Sequence, residues 1–273
     1  MAGQTFNGKN VYVFGGSSGI GLETARLLAG RGAHIILFAR NKPRLDKAVE
    51  EISRSRINAG QIFTSCVLDV SDHEAVDAAV NQAVADFGVP QIVINTAGRA
   101  IPRHFEEITY EQFDETLKIN LYGVWNTTSA VLPHMKLRGG TIVNTSSVGG
   151  FVGVFGYADY AASKFAVIGL SEVLRSELRR YKINVLVLCP PDTDTPGFVE
   201  ENRTKPLETR TISEGGGLLK AQDVARALLR GIERGEALII PGVEGKLTWY
   251  LKRHVPGLVD FIMDRSVRAA QGK

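Results

Sequence analysis

The chain has 273 residues, of which 44% are hydrophobic and 22% are charged. These fractions are typical of a globular protein with a sizeable core, and the length fits one large α/β domain or two small ones. The net charge of +3 is mildly basic, and no block of basic residues is dense enough to indicate nucleic-acid binding.

No segment of the sequence predicts secretion or membrane insertion. The first ten residues are polar, and no uninterrupted apolar run approaches the ~18–20 residues that a membrane helix needs. Cys66 and Cys189 each end an apolar run, which predicts buried free thiols rather than a disulfide or a metal site. We therefore expect a cytoplasmic protein without a metal, and contact with a membrane surface stays open.

Short runs rich in Val and Ile alternate with segments of helical periodicity along the first two thirds of the chain. The runs are predicted to be buried strands: Val11–Phe14, His34–Ala39, Ile62–Leu68, Gln91–Asn95, Thr141–Thr145 and Asn184–Cys189. The segments between them are predicted to be helices: Gly21–Arg31, Pro43–Ala59, Asp72–Phe87 and Tyr110–Lys136. This alternation predicts a single-domain α/β fold, with a doubly wound, Rossmann-like parallel sheet covered on both faces.

Helix caps are predicted at two of these segments. Ser71 or Asp72 is expected to cap the third helix, and Thr109 the fourth, with Gln112 at its third position.

Proline changes the pattern after Cys189. The prolines within Pro190–Gly197 predict that this segment is neither helix nor central strand. The polar run that follows, as far as Gly217, is predicted to be a long mobile loop. Helix returns over Ala221–Arg234, and Ala237–Pro241 is predicted to be a short final strand.

A glycine-rich turn lies between the first strand and the first helix. Its glycines tolerate unusual dihedral angles and let the backbone approach a pyrophosphate. The helix that follows offers free N–H groups and the positive end of its dipole to that anion. A glycine cluster alone also occurs in many tight turns, but this strand–turn–helix context predicts nucleotide binding. The candidate cofactor contacts are Gly15, Ser17, Ser18, Gly19, Ile20 and Gly21.

The end of the second strand bears on the choice of nucleotide. Enzymes that prefer NAD place an acid there to hold the ribose 2′-hydroxyl. Here Arg40, with Arg44 one turn into the next helix, can pair with a 2′-phosphate, which predicts NADPH; the alternative is two solvated arginines. Asp69 and Val70, after the third strand, are candidate contacts to the adenine, although Asp69 is also typical of a turn or cap.

Tyr160 and Lys164 are four residues apart on a predicted helix and therefore lie on one face, a turn apart. A tyrosine titrates near ~10, and a neighbouring ammonium is expected to lower that pKa by stabilising the phenolate. Such a tyrosine can protonate the alkoxide formed when hydride reaches a carbonyl. Ser147, thirteen residues upstream, is expected to orient and polarise the carbonyl oxygen, with Ser146 as the alternative. The spacing alone is common on protein surfaces, and the serine and the glycine turn give it weight.

From about Lys9 to Pro241 the chain resembles the short-chain dehydrogenase/reductase family. The family's Thr-Gly-x-x-x-Gly-x-Gly turn occurs with Phe14 in place of threonine, which loses a side-chain hydrogen bond in the turn. Its Asn-Asn-Ala-Gly strand end occurs as Asn95–Gly98, with Thr96 as the second residue. The resemblance implies nicotinamide-dependent oxidoreduction and places Asn95 among the cofactor contacts.

The resemblance also implies roles for residues that the pattern alone leaves ordinary. Asn120 matches the family's helix asparagine, which supports a proton relay through water to Lys164. Proline stands at position 191 where the family has glycine, which stiffens the wall around the nicotinamide. Thr193 and Thr195 are implied contacts to the carboxamide and the phosphates.

A narrower resemblance lies after the sixth strand. Residues 190–209 are similar to the reductases of 3-ketodihydrosphingosine within this family, as are the segments 155–157 and 39–41. This similarity implies NADPH-dependent reduction of the 3-keto group of a long-chain sphingoid base. Reduction of another hydrophobic ketone, of steroid or 3-oxoacyl type, is the enzyme alternative, and a nucleotide-sensing binding protein is the non-enzyme alternative.

The segment from Thr195 to Gly217 offers side chains that suit a long-chain amino ketone. Apolar residues for the chain are Phe198, Val199 and Leu207. Acidic residues for the amine are Glu200, Glu201 and Glu208. The alternative for each acid is that it merely solvates a mobile loop.

Residues 246–273 form a basic extension of the family domain, which we place at 1–245. The extension interleaves cations with large apolar side chains, and Pro256-Gly257 divides it, so two short helices are predicted. It is either a flap on the core or a subunit interface, or an interfacial element that helps a lipid substrate leave a bilayer. We expect a small-molecule substrate and a homo-oligomer, either dimer or tetramer.

Overall fold

A computed structural model of the protein describes residues 6–214 and 217–272. Its strands, in chain order, are β1 (Asn10–Phe14), β2 (His34–Ala39), β3 (Phe63–Val67), β4 (Ile92–Asn95), β5 (Gly140–Thr145), β6 (Ile183–Leu188), β7 (Thr193–Asp194), β8 (Leu219–Lys220) and β9 (Leu238–Ile239). Among the described residues, seven strands form one sheet in the order β3-β2-β1-β4-β5-β6-β9, and every neighbouring pair is parallel. The doubly wound parallel sheet is therefore confirmed.

Helices connect these strands and cover both faces of the sheet. They are α1 (Gly19–Ala29), α2 (Lys42–Ser53), α3 (His73–Phe87), α4 (Tyr110–Leu117), α5 (Gly123–Met135), α6 (Ala158–Leu178), α7 (Pro196–Glu201), α8 (Leu207–Glu214), α9 (Ala221–Arg234), α10 (Val243–His254) and α11 (Pro256–Ala270). The predicted caps are confirmed, because Asp72 accepts from the Ala75 N–H at the start of α3 and Thr109 accepts from the Gln112 N–H at the start of α4.

The core divides into two layers because the side chains of each strand alternate between the faces of the sheet. On β1, Val11 and Val13 pack toward α1, α2 and α9, whereas Tyr12 and Phe14 pack toward α3 and α5. All four side chains are fully buried. Each buried side chain of this size stabilises the fold by about 1.5–3 kcal/mol.

The second helix is shorter than predicted, ending at Ser53 rather than Ala59. The following turn is closed by the buried side chain of Gln61. Its carbonyl accepts from the backbone of Ile57 and Asn58, and its amide donates to the carbonyls of Ala29 and Ala33. These two carbonyls, at the end of α1 and just before β2, are distant in sequence, so local periodicity could not show where the helix ends.

The segment predicted as one helix over Tyr110–Lys136 contains a π-helical turn. Residues Lys118–Tyr122 connect α4 to α5 with this wider turn. Gly123 follows it, and a Cβ at this glycine would lie 2.7 Å from the Val70 side chain. A π-turn inserts an extra residue into the helical register, and such turns are frequent at functional sites.

The prediction of a long loop from residue 198 to Gly217 is wrong, because α7 and α8 occupy much of it. The prediction that Pro190–Gly197 is not helical fails at its last two residues, Pro196 and Gly197, which begin α7. Thr195 caps α7 with its side chain, which accepts from the Phe198 N–H, and Pro196 occupies the first helical turn, where proline is tolerated. Thr193 and Asp194 form β7, paired with β8. Further along, α8 lies against α11, so packing between distant segments orders a stretch whose composition is typical of a loop. Residues 215 and 216 of the expected loop lie outside the described residues.

Two further expectations concern the thiols and the chain ends. Cys189 is buried, but Cys66 is partly exposed because it lies on the edge strand β3. The first five of the ten polar N-terminal residues lie outside the described part of the chain. Over residues 6–214 and 217–272, no helix combines the length and apolar character needed to cross a bilayer. Two C-terminal helices meet at Val255-Pro256, as predicted.

Candidate active site

The glycine turn between β1 and α1 has the shape of an anion cradle. Gly15 and Gly19 have φ angles of 89° and 56°, which other residues rarely adopt. A Cβ at Gly21 would lie 2.4 Å from the Gly15 carbonyl oxygen, so only glycine fits there. Ser18 is the N-cap of α1 and makes no side-chain capping bond. The first N–H groups of α1 have no partner within the helix, so the cradle fits a pyrophosphate at its N-terminus.

Two departures from the family pattern meet beneath this turn. The Thr96 hydroxyl donates to the Phe14 carbonyl over 2.9 Å. The same hydroxyl oxygen would lie 2.6 Å from a Cβ at Gly21. Thr96 therefore supplies a hydrogen bond to the turn from the neighbouring strand, whereas Phe14 packs its ring against Phe38, with centroids 4.5 Å apart. Both changes are visible in the sequence, but their contact is not.

The candidate groups for the adenosine end lie together where β2 and β3 end. Arg40 Nη1 is 3.6 Å from Asp69 Oδ2, and both side chains are largely exposed. Burial tends to raise the pKa of Asp69, but hydrogen bonds from the Ser71 N–H and hydroxyl and the Arg40 charge hold it below its usual value. Val70 is buried, and its carbonyl accepts from Asn126. Arg44 is exposed in the first turn of α2, where its N–H donates to Asn41.

Ser147, Tyr160 and Lys164 converge at the carboxyl end of β5. A Cβ placed at Gly149 would lie 3.6 Å from Ser147 Oγ and 3.5 Å from the Tyr160 ring, which brings the hydroxyl and the ring to one point. Lys164 Nζ lies 5.7 Å from the centre of that ring. Ser146 is fully buried and its hydroxyl donates to the Lys164 carbonyl, so the structure favours Ser147 over Ser146.

Burial governs the ionisation of Tyr160 and Lys164. Burial raises the pKa of Tyr160 well above its ordinary value, the hydrogen bond with Ser147 lowers it, and the charges of Glu201 and Asp192 raise it further. The pKa of Lys164 is lowered to about 8 by burial. Its ammonium donates to the Thr145 carbonyl over 3.0 Å. The pKa of Tyr160 is therefore raised, whereas the sequence predicted that Lys164 lowers it, and the main cause is desolvation of the phenol.

Asn120 lies in the π-helical turn and is fully buried. Its Oδ1 accepts from the Arg99 N–H over 2.8 Å, and its Nδ2 donates to the Arg99 carbonyl and to Ser163 Oγ. A Cβ at Gly98 would lie 3.2 Å from Asn120 Oδ1 and 3.4 Å from Lys164 Nζ. The widened turn therefore aims this amide at the lysine of α6.

Asn95 has a structural role as well as its expected place near the cofactor. Its Nδ2 donates to Asn144 Oδ1 over 2.9 Å, and its Oδ1 accepts from the Thr127 hydroxyl. Asn144 in turn donates to Ser171. This buried chain of amides and hydroxyls fixes β4, β5, α5 and α6 relative to one another.

Thr195 and Thr193 hold the segment after β6 against the site. A Cβ at Gly19 would lie 3.0 Å from Thr195 Cγ2, so this threonine packs on the glycine turn. Thr193 is buried and its hydroxyl donates to the Pro191 carbonyl. The segment after β6 therefore closes over the same end of the sheet as the predicted phosphate site.

Several polar residues next to Tyr160 were not predicted as part of the site. Asp159 is buried and accepts from the Thr116 hydroxyl and the Gln112 amide, which fixes the start of α6 on α4. The Tyr157 ring centre is 5.5 Å from that of Tyr160, and its hydroxyl donates to Glu201. An acid immediately before the tyrosine was visible in the sequence, but its burial was not.

Known proteins share both this sequence and this fold. A model of the short chain dehydrogenase family matches residues 9–206. The 3-dehydrosphinganine reductase of Danio rerio is 40% identical over 241 residues, which cover 88% of this chain and 73% of that protein. The 3-ketodihydrosphingosine reductase of Bos taurus is 41% identical over 230 residues, covering 84% and 69%. The crystal structure of a short chain dehydrogenase/reductase from Burkholderia phymatum in complex with NAD superposes with a TM-score of 0.82 and 25% identity, covering 93% and 96%. Because the family model spans most of the chain and the fold agrees throughout, the chain belongs to the short chain dehydrogenase family.

Proposed function

We propose that the protein is an NADPH-dependent ketoreductase that converts 3-ketodihydrosphingosine to dihydrosphingosine. The observation that carries the chemistry is the convergence of Ser147 and the Tyr160 ring beside the Gly149 backbone, with Lys164 behind them. The substrate assignment rests on relatives about 40% identical that bear that reductase name.

The reaction divides among three side chains. When bound, reduced nicotinamide supplies the hydride. Ser147 holds the ketone oxygen by a hydrogen bond and Tyr160 donates the proton to the developing alkoxide. The raised pKa of Tyr160 keeps the phenol protonated at neutral pH, as a proton donor requires. Lys164 replenishes the proton through the hydrogen-bonded surroundings of Asn120, whose carbonyl faces the same point beside Gly98.

Preference for NADPH follows from the charge beside the ribose. Arg40 offers its guanidinium at the end of β2, and its contact with Asp69 is exposed and long. An exposed pair of this kind contributes about 0–1 kcal/mol, so Arg40 can turn to a 2′-phosphate at little cost. Arg44 lies one turn further on the exposed side of α2.

The substrate chain is proposed to lie along α7 and the start of α8. Val199 and Leu207 are exposed there, and a ketone held at Tyr160 lies nearby because Glu201 of α7 bonds Tyr157. The three acids expected to meet the amine all have partners within the protein. Glu200 pairs with Arg203, Glu208 accepts from Gln271, and Glu201 pairs with Lys205.

We also propose surfaces for the expected assembly and membrane contact. For a homo-oligomer, the face formed by the 110–135 helical segment and α6 exposes the large apolar side chains Tyr122, Trp125, Phe165 and Val173. For a membrane surface, the extension 246–273 exposes apolar side chains beside cations, while Trp249 anchors it to the domain through Ile240 and Cys189.

The test is NADPH consumption by the wild type and by Tyr160→Phe over a panel of ketones. The panel holds sphingoid ketones of graded length, with and without the amine, a steroid ketone and a 3-oxoacyl compound. We expect kcat/KM to rise by roughly fourfold for each methylene buried, until the pocket is filled, because each contributes about 0.8 kcal/mol. Tyr160→Phe should keep NADPH binding and lower turnover by ~10²–10⁴-fold.

Each arm of the panel can contradict one part of the proposal. Preference for the steroid or the 3-oxoacyl compound would overturn the sphingoid assignment and keep the ketoreductase. Near-normal turnover by folded Tyr160→Phe would remove Tyr160 as proton donor. NADPH binding without turnover of any ketone would favour a nucleotide-sensing protein.

A further inference from the structure

A buried lysine with no part in the proposed chemistry lies beside the active site. Lys205 is in the turn between α7 and α8, and its side chain is 1% exposed. A buried ammonium costs several kcal/mol unless charged partners compensate for the lost water. Lys205 Nζ lies 3.0 Å from Glu201 Oε1, 3.4 Å from Asp192 Oδ2 and 4.2 Å from the centre of the Phe198 ring.

The partners of this ammonium come from three successive segments. Asp192 belongs to the segment after β6, Glu201 and Phe198 to α7, and Ser213, whose hydroxyl is 3.4 Å from Nζ, to α8. The Lys205 ammonium therefore contacts all three segments that cover the active site. Helix α8 is also held to the segment that precedes α6, because the Thr209 hydroxyl donates to the Phe155 carbonyl.

The charges of this cluster also reach the proton donor. Glu201 accepts from Tyr157, whose ring packs on Tyr160, and the carboxylates of Glu201 and Asp192 both disfavour the Tyr160 phenolate. With Lys205 between them, two carboxylates and one ammonium leave a net charge of one negative unit. The groups that face Tyr160 are Lys164 on α6, Tyr157 at the N-cap of α6, Ser147 after β5, Cys189 and Asp192 after β6, and Glu201 on α7.

We propose that Lys205 is a positioning residue of the reductase, which clamps α7, α8 and the segment after β6 together and limits the negative charge beside Tyr160. This inference deepens the proposed function, since it assigns a part in that same site to a residue outside the reacting groups. Loss of the ammonium leaves two uncompensated carboxylates, and the phenolate of Tyr160 becomes harder to form.

The test is the pH dependence of alcohol oxidation, in which Tyr160 must be ionised to accept a proton. Profiles of kcat/KM are measured from about pH 6 to about pH 10, with NADP⁺ and the best alcohol found for the wild type. Because the pKa of Tyr160 is raised well above its ordinary value, this whole range belongs to the acidic limb, on which kcat/KM rises with pH in proportion to the phenolate fraction. Lys205→Met makes the cluster more negative, which disfavours the Tyr160 phenolate. The acidic limb of the kcat/KM profile should therefore move to higher pH by on the order of one pH unit. Glu201→Gln should move it down by a similar amount.

The double variant Lys205→Met/Glu201→Gln separates electrostatics from simple damage. It restores a cluster charge of one negative unit, so its acidic limb should lie close to that of the wild type. Lys205→Arg retains the positive charge, so its limb should also lie close to that of the wild type. Lys220→Met, at an exposed lysine on β8, is the matched control and should leave the limb unmoved. If Lys205→Met does not fold, the comparison of Glu201→Gln with the double variant still decides, because removing the ammonium in that background should move the limb back up.

Two results would overturn the proposal. One is a limb that stays fixed in all folded variants, and the other is a double variant displaced further than Lys205→Met. The limb can be followed on any alcohol that the wild type oxidises. Failure of the sphingoid assignment would therefore leave this test intact, and the converse also holds.

Discussion

Burial acts on Tyr160 and Lys164 in opposite directions, because each group is pushed toward its neutral form. The pKa of the tyrosine rises and that of the lysine falls to about 8. A protonated phenol suits reduction, in which the tyrosine gives up a proton. The lysine, in contrast, stays mainly protonated at pH 7 although burial disfavours its charge, because its pKa of about 8 is still above that pH.

Lys164→Met should abolish activity and raise the free energy of unfolding. A pKa lowered from 10.5 to about 8 corresponds to roughly 3 kcal/mol that the folded state loses while the lysine is protonated in both states. That loss is complete below about pH 8 and fades as pH rises toward about 10.5, since the folded protein releases the proton first. The variant also loses the bond to the Thr145 carbonyl, worth about 1 kcal/mol.

We therefore expect inactive protein whose free energy of unfolding at pH 7 exceeds that of the wild type by about 2 kcal/mol. Urea titrations at pH 7 and pH 10 measure it, and the gain should shrink at the higher pH. A variant less stable than the wild type at pH 7 would contradict this account.

Arg40→Asp should reverse the cofactor preference. A charge-assisted bond to the 2′-phosphate, worth about 1.5–3 kcal/mol, becomes a repulsion, so kcat/KM with NADPH should fall by at least about tenfold. Kinetics with NADPH and NADH measure the ratio, and Arg54→Ala, at an exposed arginine following α2, is the control. Wild-type preference for NADH, or an unchanged ratio in the variant, would refute the role of Arg40.

At the scale of elements, the π-helical turn at Lys118–Tyr122 sets where Asn120 points. The amide bridges Arg99, which follows β4, and Ser163 on α6, so one side chain joins two walls of the site. Since α4 packs on α6 and the π-helical turn itself contacts α6, the asparagine couples helix packing to catalytic geometry.

Asn120→Ala should weaken both functions of this residue. It leaves the Arg99 N–H and carbonyl without their partner, which should lower the free energy of unfolding by about 1–3 kcal/mol. Loss of the relay should lower kcat while the Kd for NADPH stays nearly constant. Denaturation, turnover and cofactor titration measure these, with Gln82→Ala on the exposed side of α3 as control. Unchanged kcat in the folded variant would exclude the relay.

For the whole molecule, the C-terminal helices α10 and α11 extend the surface around the substrate segment. Helix α11 packs on α8, and Gln271 donates to Glu208. Exposed apolar side chains on the two helices are Val243, Leu247, Tyr250, Leu258, Phe261 and Ile262. Exposed cations beside them are Lys246, Arg253, Arg265 and Arg268. Helices that expose both apolar and cationic side chains favour the interface of an anionic bilayer.

We expect the protein to cosediment with vesicles that contain phosphatidylserine more than with vesicles of phosphatidylcholine alone. Phe261→Glu with Ile262→Glu should reduce this binding, because two charges would enter the apolar side of the interface. Leu137→Glu, at an exposed leucine between α5 and β5, is the matched control. Equal binding by wild type and double variant would exclude this surface as the membrane contact.

The sequence alone determined the sheet and the position of the reacting groups along the chain. β-branched runs such as His34–Ala39 coincide with strands because a fully buried strand needs apolar residues on both faces. The glycine turn was predictable because only glycine tolerates the φ angles and the close approach at positions 15, 19 and 21. Asp72 and Thr109 were predictable as caps, since a cap is a local hydrogen bond.

Only the tertiary structure decided what depends on contacts between distant segments. The end of α2 is set by Gln61 reaching back to α1, and the order of α7 and α8 depends on α11 and on Lys205. The pKa of Tyr160 rises chiefly because the phenol is desolvated by burial, which a spacing of four residues cannot reveal. Burial and long-range pairing are sums over the whole fold, whereas periodicity and turn chemistry are local.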